Sequence, residues 1–81
     1  MKITVKFWSY FRDLTERDET SIEVEEGETL GDLHTKVMTQ FPILAEMKNS
    51  TLKAVGVDYQ TDEFVLSDGD EVSLFPPVQG G

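Results

Sequence analysis

Ile3, Val5 and Phe7 alternate with Thr4, Lys6 and Trp8 at the start of the chain, the period-two pattern of a strand with one buried face. Residues 21–25 repeat it, with Ile22 and Val24 on the inward side. Between the two runs, residues 9–20 are polar and charged apart from Tyr10, Phe11 and Leu14, which predicts a loop with room for a helical turn. Glu26-Gly27-Glu28 is a turn signal, since Gly27 is free to take a positive φ. Thr29 then stands three residues before Asp32, a variant of the capping box in which the hydroxyl serves a free helical N–H. Leu30, Leu33, Val37 and Phe41 follow at spacings of three, four and four, one stripe of a helix that Pro42 ends near Gln40 or Phe41. It is the one well-marked helix of the chain.

Residues 43–50 are less regular, with room for one short helical turn. Leu52, Ala54, Val55 and Val57 predict a third strand, and Phe64 with Leu66 a short strand or an extended connection. Asp68-Gly69-Asp70 is a tight turn, after which Glu71-Val72-Ser73-Leu74-Phe75 alternates again as a closing strand. The order strand, strand, helix, strand, strand predicts an α+β domain whose helix crosses one face of a mixed sheet. With the right-handed crossover rule, these constraints point to the β-grasp, or ubiquitin-like, architecture for residues 1–75, followed by a tail over residues 76–81.

Composition narrows the function. Eighty-one residues make one domain, burying only about 60% of the unfolded surface. Without Cys no disulfide and no thiolate zinc site can form. Seven Lys and Arg against 16 Asp and Glu leave a formal net charge of −9. That surface repels phosphate backbones and anionic membranes, so no nucleic-acid or membrane partner is expected. No apolar run approaches the roughly 18 residues of a membrane span, and the alternating start is unlike a signal peptide. The expectation is a cytoplasmic protein whose partners carry basic surfaces.

Catalytic sets are missing. The lone imidazole, His34, lies mid-helix beside the apolar stripe and is read as a helix-surface group rather than a general base. The serines have no elbow or triad context. More than half of the acids fall between Asp13 and Asp32, and Asp68-Gly69-Asp70-Glu71 superficially resembles part of a calcium loop. It lacks the twelve-residue ligand spacing, so no metal site is expected.

The end of the chain reads differently. Phe75 is followed by Pro76-Pro77-Val78-Gln79-Gly80-Gly81. The two prolines lock φ and favour a polyproline rod that holds the tail off the body. Six residues reach about 20 Å when extended, and the final pair, lacking side chains, can enter a channel too narrow for other residues. What they would deliver is the carboxylate of Gly81. Strand parity adds a surface: with Ile3, Val5 and Phe7 facing the helix, Trp8 lies on the opposite side, and Phe75 shares it when Val72 and Leu74 face in. Two large aromatics outside the core near the root of the tail make a candidate binding patch.

The closing string from Asp68 to Gly81 closely resembles the ending of the β-grasp sulfur carriers that serve as small subunits of molybdopterin synthase. These are relatives of the thiamin-pathway carrier and, distantly, of ubiquitin. The Phe-Pro-Pro-Val-x-Gly-Gly ending is its specific part. Tyr10-Phe11-Arg12-Asp13-Leu14 after the first strand, Thr29-Leu30-Gly31-Asp32-Leu33 at the helix start and the total length also fit. Gly56 departs from the pattern, where many relatives carry Asn.

The resemblance implies that an activating enzyme spends ATP to adenylate Gly81, and that sulfur then replaces AMP to give a thiocarboxylate. No permanently bound cofactor is implied. It further implies a large-subunit partner, with a heterotetramer as the assembly, into which Gly80 and Gly81 insert. Phe75, Pro76, Pro77, Val78, Trp8, Arg12 and Tyr59 would contact partners, Arg12 and Tyr59 by position alone. Three other readings stay open: a thiocarboxylate carrier for thiamin, cysteine or a natural product, a ubiquitin-like protein modifier, or a plain acidic interaction domain.

Overall fold

The opening alternation becomes β1 (Lys2–Phe7), and the next run becomes β2 (Glu19–Glu23), paired antiparallel with Ile3 opposite Ile22. The computed structural model describes residues 1–77. Between the two strands, Tyr10–Thr15 forms a short helix, α1, anchored by the fully buried Phe11 ring. The main helix, α2, spans Leu30–Gln40, and a 3-10 segment follows over Pro42–Ser50 with a kink at Met47. β3 (Leu52–Val55), the two-residue β4 (Asp58–Tyr59) and β5 (Glu71–Phe75) complete the sheet. Its strand order is β2-β1-β5-β3-β4; β5 runs parallel to β1 and the other pairs are antiparallel. With α2 packed across one face, this is the β-grasp fold.

The start of α2 shows why the helix forms there. Thr29 Oγ1 accepts the Asp32 N–H at 3.2 Å, and the Asp32 carboxylate accepts the Thr29 N–H at 3.0 Å, a full capping box that contributes about 1 kcal/mol. Two more of the N–H groups that a helix leaves free at its start donate outward, Leu30 to the Phe64 carbonyl at 2.8 Å and Gly31 to the Asp62 carbonyl at 3.0 Å. A side chain at Gly31 would meet Asp62 Cβ at 2.9 Å, so glycine is what allows this close approach. The connection holding Phe64 and Leu66 is therefore stitched to the helix as an extended segment, with one bridge from Val65 to Thr29.

The core lies between sheet and helix. Ile3, Val5 and Phe7 of β1, Leu30, Leu33 and Val37 of α2, and Val72 and Leu74 of β5 are all nearly inaccessible. Burying each such side chain stabilises by about 1.5–3 kcal/mol. Phe41 closes one end, meeting Phe7 edge-on with ring centroids 5.4 Å apart, while the Arg17 guanidinium lies 5.1 Å above its ring.

Three expectations are corrected. Val57 does not belong to the third strand: Gly56, at φ 62°, turns the chain after Val55, and Val57 sits at the hairpin tip fully exposed. Pro76 does not stand off the body but is buried against it. His34 is not a surface imidazole; it is 4% exposed. It stands four residues after Leu30 and three before Val37, on the apolar stripe itself.

Burial, reinforced by the Lys53 ammonium and more weakly by Lys48, and opposed by Asp62, lowers the His34 pKa from 6.5 to about 4. Unfolded, the imidazole titrates near 6.5, so between pH 4 and 6.5 the unfolded chain binds more protons. The stability contribution is complete above pH 6.5 and is lost as the pH falls toward 4, by about 3 kcal/mol in all. Thermal melts from pH 7 to 4.5 are expected to fall more steeply for the wild type than for His34→Gln. Parallel curves would refute the buried neutral imidazole.

Candidate functional site

The face of the sheet away from α2 follows from register. Leu52 pairs with Phe75 and Ala54 with Ser73, while Tyr59 pairs with Ala54 across the short hairpin. On the other side Lys6 pairs with Ser73. Paired residues share a face, so Trp8, Phe75, Leu52 and Tyr59 gather at the end of the sheet where β1 and β5 both finish. Trp8 extends the ladder by one bond, its N–H donating to the Leu74 carbonyl at 3.2 Å.

These aromatics touch. The Trp8 and Phe75 rings stack with centroids 5.7 Å apart and 15° between planes, and Tyr59 meets Phe75 edge-on at 6.1 Å. Trp8 remains 43% exposed and Tyr59 68%, so the cluster is a surface, not a satellite core. Beside it runs a groove of about 400 Å³ lined by Ser9, Tyr10, Leu52, Tyr59, Phe75, Pro76 and Pro77. Val78, Gly80 and Gly81, singled out in the sequence, lie outside the described residues.

Charge rims the apolar patch. Arg12 is exposed and reaches Asp18 at 3.7 Å, at a smaller hollow shared with Trp8, Lys6 and Glu19. Lys6 pairs with Glu71 at 3.4 Å. Beyond Tyr59 and Leu52 a further cleft opens, where Lys53, only 12% exposed at its side chain, holds Asp62 at 3.1 Å. All three of these cations are thus matched by carboxylates, and the remaining acids leave the surroundings negative.

Strand parity puts Trp8 and Phe75 together at the root of the Pro76-Pro77 segment, and the resemblance adds Tyr59 and Arg12; the structure brings Trp8, Phe75 and Tyr59 into contact beside both prolines, with Arg12 in the neighbouring hollow beside Trp8. Leu52, Ser9 and Tyr10 were missed. Leu52 becomes visible only through its pairing with Phe75, which needs the β3–β5 register. Among the described residues no group of three or more His, Asp or Glu could hold a metal ion, and no helix is long and apolar enough to cross a membrane. The arrangement can present an apolar surface to a partner; among the described residues its side chains form no nucleophile–base pair.

Comparison with known proteins places this geometry. The ThiS family pattern matches residues 5–81. Over its whole length the chain is 32% identical to the molybdopterin synthase sulfur carrier subunit of Mycobacterium tuberculosis, spanning 99% of that protein. A Pyrococcus furiosus structure assigned to molybdopterin converting factor, subunit 1, superposes with a TM-score of 0.87 at 31% identity, covering 96% of this chain and 99% of that one. A chain in the complex of subunits 1 and 2 of the Helicobacter pylori molybdopterin-converting factor shares the fold, with a TM-score of 0.71 at 24% identity and full coverage of both chains. The chain belongs to the ThiS family.

Proposed function

We propose that this chain is a sulfur carrier of molybdenum cofactor biosynthesis, the small, sulfur-donating subunit of a molybdopterin synthase. The observation that carries the proposal is the aromatic groove at the root of a Pro-Pro-Val-Gln-Gly-Gly segment, in a chain matched by the family pattern through its last residue. The full-length similarity to molybdopterin synthase sulfur carrier subunits supports this pathway over thiamin, cysteine or natural-product routes.

The chemistry sits on Gly81. A carboxylate is a poor acyl donor because its leaving group would be oxide. An activating enzyme lets a Gly81 oxygen attack the α-phosphorus of ATP; pyrophosphate leaves and an acyl-adenylate forms. Hydrosulfide supplied by a sulfur donor then attacks the acyl carbon, AMP departs with the electrons of the C–O bond, and the S–H proton is lost to solvent. The resulting thiocarboxylate is anionic at neutral pH and carries a soft, nucleophilic sulfur, like a thiolate of lowered pKa. The large subunit receives the tail, supplies the general acid, base and pocket, and takes the sulfur into the dithiolene of molybdopterin. ATP is a co-substrate of the activating enzyme rather than a group held here. The assembly is a heterotetramer in the cytoplasm.

The body contributes positioning. Pro76 and Pro77 fix φ, so less chain entropy is lost when the tail is threaded. Gly80 and Gly81 let the backbone pass a narrow channel. Phe75, Trp8 and Tyr59 form the surface that a partner covers, with Arg12 at its rim.

Intact-mass spectrometry of the chain co-expressed with its activating enzyme is expected to show an oxygen-to-sulfur exchange at Gly81. An unmodified mass beside a competent enzyme, with isopeptide-linked conjugates in the extract, would favour a modifier instead. Deleting Gly81, or adding one residue after it, should abolish sulfur transfer while far-UV circular dichroism and melting stay unchanged. Phe75→Ala should weaken large-subunit binding tenfold to a hundredfold, about 1.4–2.8 kcal/mol. Because the ring lies outside the core, the same change should cost only about 1 kcal/mol of stability. A large loss of melting temperature with unchanged affinity would overturn that assignment.

A further inference from the structure

The chain makes an abrupt reversal where β1 ends. Trp8 is held by the β5 ladder through its N–H. Three residues on, Phe11 is fully buried, and its N–H donates back to the Trp8 carbonyl at 3.1 Å. Only Ser9 and Tyr10 separate the two anchors. Ser9 takes φ 54° and ψ −138°, a region that residues with a Cβ avoid and glycine occupies. Glu16 is the other non-glycine with positive φ among the described residues. It lies in the ordinary left-handed region that ends helices. Ser9 does not.

Its hydroxyl does not explain the conformation, because the Ser9 side chain makes no capping hydrogen bond to α1. The surroundings do: the Trp8 ladder bond and the Phe11 core contact leave the two-residue link between them few conformations, and the Ser9 Cβ removes most of the rest. Ser9 also lines the groove beside Phe75, Pro76 and Pro77, directly after the Trp8 ring that stacks on Phe75.

We propose that Ser9 is a positioning residue for docking: its compelled backbone fixes the direction in which Trp8 stands on Phe75. The aromatic face at the root of the tail is then rigid before a partner arrives. Glycine at this position would relieve the strain but allow Trp8 many more orientations, and the freedom lost on docking would weaken the complex. Stability and binding therefore move in opposite directions, which a purely structural role does not produce. The sulfur-carrier reading enters only in naming the partner.

The test compares Ser9→Gly with Ser9→Ala in the full chain, using Trp8, the only tryptophan, as reporter. Ser9→Gly is expected to raise the melting temperature by roughly 2–6 °C. It should also reduce the near-UV circular dichroism and fluorescence anisotropy of Trp8, and weaken binding of a molybdopterin synthase large subunit about threefold to tenfold. Ser9→Ala keeps the Cβ and should match the wild type in all three. Unchanged Trp8 signals in Ser9→Gly would overturn the proposal. So would an equal loss of binding in Ser9→Ala, which would assign the effect to the hydroxyl. The Trp8 signals need no partner, so they decide the role of Ser9 even where the large subunit binds neither variant nor wild type.

Discussion

The parallel pairing of β1 and β5 is the constraint on which the rest of the molecule depends. Hairpin strands finish at opposite ends, whereas parallel neighbours finish at the same one. With Val5 beside Val72 and Phe7 beside Leu74, the chain necessarily delivers Trp8 and Phe75 to one edge, and the tail leaves from there. The same register seats Val72 and Leu74 in the core. A slip by one residue would exchange Leu74 with Phe75, driving the aromatic inward and an aliphatic outward. Core packing and the docking surface are thus two faces of one register, and the hydrophobic energy of the first maintains the geometry of the second.

Much of this was legible in the residues because the strongest local signals agreed with the global fold. The alternation of β1, the Thr29–Asp32 cap, the 30/33/37 stripe, the Pro42 stop and the closing strand each admit one reading, and parity alone put Trp8 and Phe75 on one face. The failures are equally physical. β4 is two residues long and carries no periodicity. In β3, Leu52 and Ala54 turn outward while Lys53 turns toward the helix, so apolar content on both faces hides the pattern. Lys53 is tolerated there because Asp62 meets it. His34 was misread because an ionisable residue on an apolar stripe looks exposed until its neighbours are known. Pro76 was misread because its stiffness says nothing of what its ring packs against.

The electrostatics divide the work along the molecule. In the proposed complex a net charge of −9 would hasten encounter with a basic partner surface, while the apolar groove and its aromatics would govern how long the partner stays. The chemistry assigned to Gly81 involves anions throughout: ATP, an acyl phosphate and a thiocarboxylate. An acidic body close to them would oppose each step. Pro76 is held on the body, and the five residues that follow it could span at most about 17 Å, about twice the screening length of roughly 8 Å at physiological salt. Under the proposed function that length would let the body stay acidic enough to steer while the chemistry at Gly81 proceeds beyond its field. With no cysteine in the chain, the proposal puts the sulfur on the backbone carboxyl of Gly81, and the length of the tail would then be an electrostatic requirement as well as a steric one.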